Sequence, residues 1–130
     1  MRKLTSHKVN GLNEALEITV LDEPGQGNAC HEYVIDILAE PNAIIPIGEK
    51  TIIHYLINFQ NGPIKEYGLN GVSNEALLAI VEDRLLGFQS GEFACRENAV
   101  ALTKLQESIM WLQKRTRDRM ARYVEGTNQK

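Results

Sequence analysis

The most concentrated chemical signal in the sequence is a group of arginines near its C-terminal end. Residues 111–127, WLQKRTRDRMARYVEGT, contain five basic residues against two acidic ones, whereas the rest of the chain carries 9 basic and 15 acidic residues. Arg115, Arg119 and Arg122 recur at helical spacings and continue the side that carries Leu112. Arginines that prolong an apolar seam repel one another unless an anion lies between them, and guanidinium groups pair well with phosphate oxygens. The pattern predicts a phosphate-binding role for these three arginines.

The same stretch has a less specific interpretation, in which cations at the end of a helix complement its dipole and face water. That interpretation suits Lys114 and Arg117, and Arg117 has solvent or Asp118 as its natural partner. The formal net charge of the chain is −3, which argues against broad binding of polymeric nucleic acid. A compact anionic ligand is therefore the prediction.

Phe88 and Asn98 flank a second segment of interest, FQSGEFACREN. Spacing alone favours a core position for Phe88 and a capping or surface position for Asn98. An aromatic ring beside an amide is also the chemistry of an adenine site, which combines stacking with hydrogen bonds to the edge of the base. Both interpretations stand on composition alone.

The sequence contains no complete motif for catalysis or metal binding. GQGNAC begins like a dinucleotide-binding loop, but the third glycine is absent and a strand pattern follows. His7, His31 and His54 have no metal-ligand spacing. No serine elbow, zinc-protease motif or phosphate-binding loop is present. The sequence predicts no catalytic residues, no metal and no cofactor.

The first half of the chain has the pattern of β-strands. Residues 15–22, 31–38 and 51–59 are rich in β-branched and aromatic residues, and segments with Pro and Gly separate them. Asn61-Gly62 then predicts a hairpin into a short strand that ends at Tyr67. Three or four antiparallel strands are expected.

The second half changes to a helical period. Ser73 or Asn74 can cap a helix that Gly91 ends. Its apolar face is Leu77, Val81, Leu85 and Phe88. A longer helix runs from about Cys95 to about Tyr123. Its apolar face is Leu102, Leu105, Ile109 and Leu112. The two helices are expected to be about 24 and 43 Å long, so part of the longer helix has no partner within the hairpin. This predicts self-association.

The expected fold is therefore α+β, with a small N-terminal antiparallel β-sheet over residues 1–70 followed by a long C-terminal αα-hairpin over residues 71–130. Of the 130 residues 43% are hydrophobic and 24% charged, which is ordinary for a folded protein. Cys30 and Cys95 are expected to be small, reduced core residues. The N-terminus lacks a signal-peptide pattern, and no stretch approaches the ~20 apolar residues that span a bilayer, which predicts a cytoplasmic protein with no membrane partner.

The run from FQNGPIKEYGLNGVSNEALL to WLQKRTRDRMARYVEGT, residues 59–127, resembles the phage Thoeris anti-defence family, first type. The hairpin portion is similar to that of the second anti-CBASS family, whose members are shorter and lack the sheet. Motifs such as GPI, NGV, NEALL and FQSG are weak singly, and their order and spacing make the resemblance specific.

The resemblance implies an oligomeric sponge, a homodimer or hexamer that sequesters immune signalling nucleotides without cleaving them. The implied ligands are glycocyclic ADP-ribose isomers and, in some members, cyclic di- or trinucleotides. Phe88 and Asn98 match the positions for the adenine base, and Arg115 and Arg119 match those for phosphate. Relatives commonly have Gly where this chain has Tyr123, so the rim of the site is expected to differ there.

Two other classes of function stay open from the sequence. The basic helix could contact a nucleic-acid backbone, as in a small nucleic-acid-binding regulator, although the overall acidity opposes this. A phosphodiesterase that consumes the signal is the third class, and the missing catalytic groups oppose it.

The place of action that the resemblance implies is the cytoplasm of the bacterial host during infection.

Overall fold

A computed structural model describes residues 1–38 and 52–130 of the chain. These residues form two compact units, Met1–Asn61 and Gly62–Lys130. The first unit contains the β-sheet and the second the helical hairpin, in agreement with the predicted α+β class. The division predicted between residues 70 and 71 follows the change of sequence period and stays a prediction.

The first unit is a four-stranded antiparallel sheet in the order β1-β2-β3-β4. Its strands are β1 (Arg2–Leu4), β2 (Leu16–Val20), β3 (Glu32–Leu38) and β4 (Ile52–Asn58). The three longer strands lie within the three predicted segments. Residue 51, the first of the third segment, is outside the described residues. The short helix α1 (Gly11–Glu14) precedes β2.

The register of the sheet places its few buried side chains in the middle strands. Thr19 of β2 pairs with Val34 of β3, and Val34 pairs with Leu56 of β4. Val20 and Val34 are buried, whereas Leu56 is 69% exposed. The core of this unit therefore lies on the inner strands and at the buried Cys30 and His31, which directly precede β3.

The prediction of a short strand that ends at Tyr67 is wrong, because Ile64–Tyr67 forms a short helix, α2. Gly62 has a φ of +86°, and a side chain there would clash with the Tyr67 ring. Pro63 caps the helix with an extended ψ of 137°, and its carbonyl accepts from the Tyr67 amide at 2.9 Å. The turn thus directs the chain into a helix instead of back along a strand. The fourth strand is β1, which the sequence did not predict.

The shorter arm of the hairpin is α3 (Asn74–Gln89), with Ser73 as its N-cap. Ser73 Oγ accepts from the Ala76 amide at 3.1 Å, as predicted for a capping serine. The helix ends with Ser90 in a right-handed conformation, so Gly91 follows the cap and has no positive φ. The helix thus ends two residues before Gly91, and it does not end through a glycine in the left-handed conformation, as was predicted.

The longer arm is α4 (Arg96–Ala121), with Cys95 as its N-cap. Cys95 Sγ accepts from the Asn98 amide at 3.4 Å, and Gln89 exchanges two 3.1 Å hydrogen bonds with the Cys95 backbone. These contacts close the turn between the arms. Cys95 is exposed, which corrects its predicted core position, whereas Cys30 is buried; both are free thiols.

The two arms pack along half-buried apolar positions. On α4 these are the four predicted residues, Leu102, Leu105, Ile109 and Leu112. On α3 the prediction is confirmed for Leu77 and Leu85, which are half-buried together with Leu78, whereas Val81 and Phe88 are 44% and 40% exposed. With 16 and 26 residues, the arms are about 24 and 39 Å long. No helix among the described residues is both long enough and apolar enough to cross a membrane.

Candidate functional site

A cavity of about 500 Å³ lies at the C-terminal end of α4. A volume of this size is typical of sites for small molecules. Its walls come from α4 and from the end of the chain. They consist of Trp111, Lys114, Arg115, Asp118, Arg119, Arg122 and Lys130.

The side-chain charges in this cavity are mostly positive. Asp118 supplies the one acidic side chain of the wall, and it accepts a hydrogen bond from Lys114 Nζ at 2.7 Å. Of the two partners predicted for Arg117, solvent or Asp118, the structure supports solvent, because Arg117 is exposed and Asp118 pairs with Lys114. Among the described residues, the side chains of Arg115 and Arg122 have no hydrogen-bond or ion-pair partner. Their uncompensated charges favour an anion in the cavity.

Arg119 has a different environment from its two neighbours. Its Nε donates to Glu125 Oε2 at 2.8 Å, and its Nη2 donates to the carbonyls of Val124 and Thr127 at 3.0 and 3.1 Å. Nη1 donates to the carbonyl of Gln129. Four of the five guanidinium N–H groups are thereby engaged. The side chain is 8% exposed, so Arg119 forms a buried part of the cavity wall.

The backbone beyond α4 turns back to meet this guanidinium. Tyr123 and Gly126 both have left-handed φ values, 60° and 82°, which reverse the chain twice within four residues. The Val124 amide donates to the Arg119 carbonyl at 3.0 Å, and the Lys65 amide donates to the Gly126 carbonyl at 3.3 Å. Tyr123 itself is 89% exposed. The C-terminal segment is therefore held by backbone geometry and by Arg119 together.

Phe88 and Asn98 lie at the other end of the hairpin. Phe88 is in the last turn of α3, and the Arg84 guanidinium carbon is 5.6 Å from its ring centroid. Asn98 is half-buried in the first turn of α4. Phe88 is 40% exposed, which corrects the core position that spacing alone favoured.

The five predicted site residues therefore form two groups within one chain. Arg115, Arg119 and Arg122 all line the cavity. Asn98 is about 26 Å from Arg115 along the same helix, at about 1.5 Å per residue. A single copy does not bring the predicted base-binding residues to the predicted phosphate-binding residues.

Sequence reasoning missed Trp111, the aromatic residue of the cavity. The residue is 63% exposed, although tryptophan usually buries most of its surface. The signal was present in the spacing, because Trp111, Arg115 and Asp118 share one side of α4 at i, i+4 and i+7, and the C-cap residue Arg122 follows at i+11. Among the described residues, no group of three or more His, Cys, Asp and Glu side chains could hold a metal ion.

Comparisons with known proteins give this hairpin a family. Residues 51–117 match the family model described as Acb2/Tad1, hairpin domain. The chain is also 60% identical over 74 residues to a protein of Bacillus phage SBSphiJ7 named Thoeris anti-defense 1. That alignment covers 57% of this chain and 52% of the phage protein, so the chain spans about half the length of the curated relative that it matches.

Proposed function

The chain belongs to the Acb2/Tad1 hairpin-domain family, and we propose that it is a phage anti-defence protein that sequesters cyclic nucleotide immune signals without degrading them. The proposed ligands are glycocyclic ADP-ribose isomers, with cyclic di- or trinucleotides as further candidates. The name of the phage relative, Thoeris anti-defense 1, supports the anti-defence role. The proposed place of action is the cytoplasm of the infected host.

The cationic cavity is the observation that carries this proposal. Arg115 and Arg122 line it with no partner among the described residues, and a cyclic nucleotide brings the phosphates that such guanidinium groups bind in pairs. Arg119 has one N–H left after its contacts to the C-terminal segment, and we assign that donor to a ligand phosphate. Phosphate recognition is thus proposed for all three arginines, with Arg119 offering one N–H donor and Arg115 and Arg122 their whole guanidinium groups.

The separation of the two residue groups supports a site shared between copies. We propose that Phe88 and Asn98 of one copy hold the adenine base while Arg115 and Arg119 of another copy hold the phosphates. An antiparallel pair of hairpins places the turn of one copy beside the C-terminal end of the other. The protein is then a homodimer, or a hexamer built from such pairs.

Exposed apolar side chains on the hairpin support this assembly. In the described unit no residue of α3 is buried, and Arg119 is the one buried residue of α4. The large apolar residues at least two-fifths exposed on the two arms are Ile80, Val81, Leu86, Phe88, Val100, Met110, Trp111 and Met120. A surface of this kind marks an interaction site in a protein that folds in water.

The decisive experiment asks whether the protein binds the signal and returns it intact. Glycocyclic ADP-ribose is titrated in a calorimeter, and the complex is then heat-denatured and its supernatant analysed by mass spectrometry. A sponge gives saturable binding and full recovery of unchanged ligand. Cleaved ligand indicates a phosphodiesterase, and salt-sensitive binding to duplex DNA alone indicates a nucleic-acid-binding regulator.

Sedimentation at micromolar protein tests the assembly separately. We expect a dimer or hexamer both with and without nucleotide, because the exposed apolar residues of α3 and α4 are present in the unliganded chain. A monodisperse monomer that still binds the signal would refute the shared site.

A further inference from the structure

Trp111 and two unpaired arginines occupy one continuous stripe along α4 and its C-cap residue, Arg122. Trp111, Arg115 and Arg122 all line the cavity at i, i+4 and i+11, with Asp118 between the arginines. Side chains four residues apart in a helix have Cβ atoms about 6 Å apart, which is on the scale of one nucleotide from its base to its 5′-phosphate. Trp111 and Arg115 therefore have the spacing of a base and its phosphate, and Arg122 lies about 10 Å beyond Arg115 along the axis at about 1.5 Å per residue.

The indole of Trp111 is not a core group of the hairpin. Its residue is 63% exposed, and among the described residues its ring has no aromatic or cationic contact. The half-buried positions beside it are Ile109 and Leu112, which face the packed side of α4. A large planar side chain on the wall of a cationic cavity offers its face to a planar ligand.

We propose that Trp111 stacks on a nucleobase whose phosphate is bound by Arg115 and Arg122 of the same chain. This inference rests on the proposed function and deepens it, because it adds a second aromatic contact, from the copy that holds the phosphates, to the base that Phe88 and Asn98 of another copy bind. The phosphates alone do not account for an aromatic wall, and the base alone does not account for two unpaired cations. Asp118 does not oppose the phosphate strongly, since Lys114 neutralises it at 2.7 Å.

The chain offers a direct probe of this stacking, because it contains a single tryptophan. Intrinsic tryptophan fluorescence therefore reports on Trp111 alone. The protein is titrated in parallel with adenosine 5′-monophosphate, ribose 5-phosphate and adenosine. We expect saturable quenching by the nucleotide, little change with ribose 5-phosphate, and a weaker response to adenosine.

Two arginine variants calibrate that titration. Arg115→Ala should raise the midpoint for adenosine 5′-monophosphate by about tenfold, because a charged hydrogen-bond partner of the phosphate is lost. Arg117→Ala removes the same charge two residues away, outside the cavity wall, and should leave the midpoint within about twofold. Fluorescence that ignores the nucleotide, or that responds equally to ribose 5-phosphate, overturns the assignment.

Calorimetry with glycocyclic ADP-ribose then separates this inference from the proposed function. Trp111→Leu should weaken binding by at least about fivefold, the lower end for a lost base stack, and Trp111→Phe should restore most of the affinity. If wild type binds and both variants bind equally well, Trp111 is no platform while the sponge proposal stands. If wild type binds no cyclic nucleotide, the sponge proposal fails and the fluorescence titration alone decides the role of Trp111.

Discussion

Arg119 and Glu125 form an ion pair that joins α4 to the C-terminal segment, with Nε 2.8 Å from Oε2. The arginine side chain is 8% exposed and the glutamate side chain 42%, so the pair is half-shielded from water. The same guanidinium donates to three backbone carbonyls of that segment. Arg119, which helical spacing grouped with the predicted phosphate-binding arginines, is thus also a structural part of the cavity wall.

We predict that Arg119→Ala lowers the free energy of unfolding by about 2 kcal/mol, in the range for hydrogen bonds to a charged group. The carbonyls of Val124, Thr127 and Gln129 lose their donor in this variant. Urea unfolding of the unliganded protein, at a fixed concentration because the protein is expected to be oligomeric, measures the change.

Arg117→Ala is the matched control for this effect. Arg117 is exposed, and its side chain has no hydrogen-bond partner among the described residues, so its removal should change stability by less than about 0.5 kcal/mol. Glu125→Gln should cost less than Arg119→Ala, since the three carbonyl contacts remain. Equal stability of the two alanine variants would show that the contacts of Arg119 contribute nothing.

The longer elements were predictable from the sequence because each carries a local signal. The strand patterns and the long helix follow from hydrophobic period, and Ser73 is a strong N-cap residue. β1 and α2 were not predictable, because a strand of three residues and a helix of four contain too little pattern. On α3, periodicity fits several apolar residues and the partner helix selects among them, so Leu78 is half-buried beside Leu77 and Leu85 while Val81 and Phe88 are exposed.

The candidate site was predictable only in part. Helical spacing grouped Arg115, Arg119 and Arg122, and the structure places all three on one cavity. Spacing could not distinguish the buried Arg119 from its exposed neighbours. That difference depends on the backbone reversals at Tyr123 and Gly126, which bring carbonyl groups onto one guanidinium.

We predict that Tyr123→Gly stabilises the unliganded protein by about 0.5 kcal/mol. Tyr123 has a φ of 60°, which costs a side-chain-bearing residue about 1–2 kcal/mol, and the greater backbone entropy of glycine offsets part of the gain. Tyr123→Ala is the control, because it removes the exposed ring and keeps the Cβ. Thermal melts in which alanine stabilises as much as glycine would attribute the effect to the ring.

We predict that Phe88→Ala weakens binding of glycocyclic ADP-ribose by more than about 1 kcal/mol, the lower end for loss of a base stack. Phe88 is 40% exposed, which leaves ring surface for a base despite the nearby Arg84. Phe93→Ala is the matched control, because Phe93 is 74% exposed in the turn between the arms. Calorimetric titration measures both. Equal affinities for the two variants would return Phe88 to a purely structural role.

We predict that Arg115→Ala weakens binding of glycocyclic ADP-ribose by about 1.5–3 kcal/mol and leaves the unliganded protein as stable as wild type. Its side chain lines the cavity and has no partner among the described residues, so its removal breaks no contact of the unliganded chain. Arg115→Lys should recover only part of the affinity, because an ammonium group cannot make the paired contact of a guanidinium.

Calorimetry and thermal melts of these variants, beside Arg117→Ala, separate binding from folding. Arg115→Ala should lose affinity at constant melting temperature, whereas Arg119→Ala should lose melting temperature before any ligand is added. The difference follows from the contacts, because four guanidinium N–H groups of Arg119 bond to Glu125 and the following backbone while Arg115 has none of them. Unchanged affinity in Arg115→Ala would mean that the unpaired charges of the cavity serve some purpose other than phosphate binding.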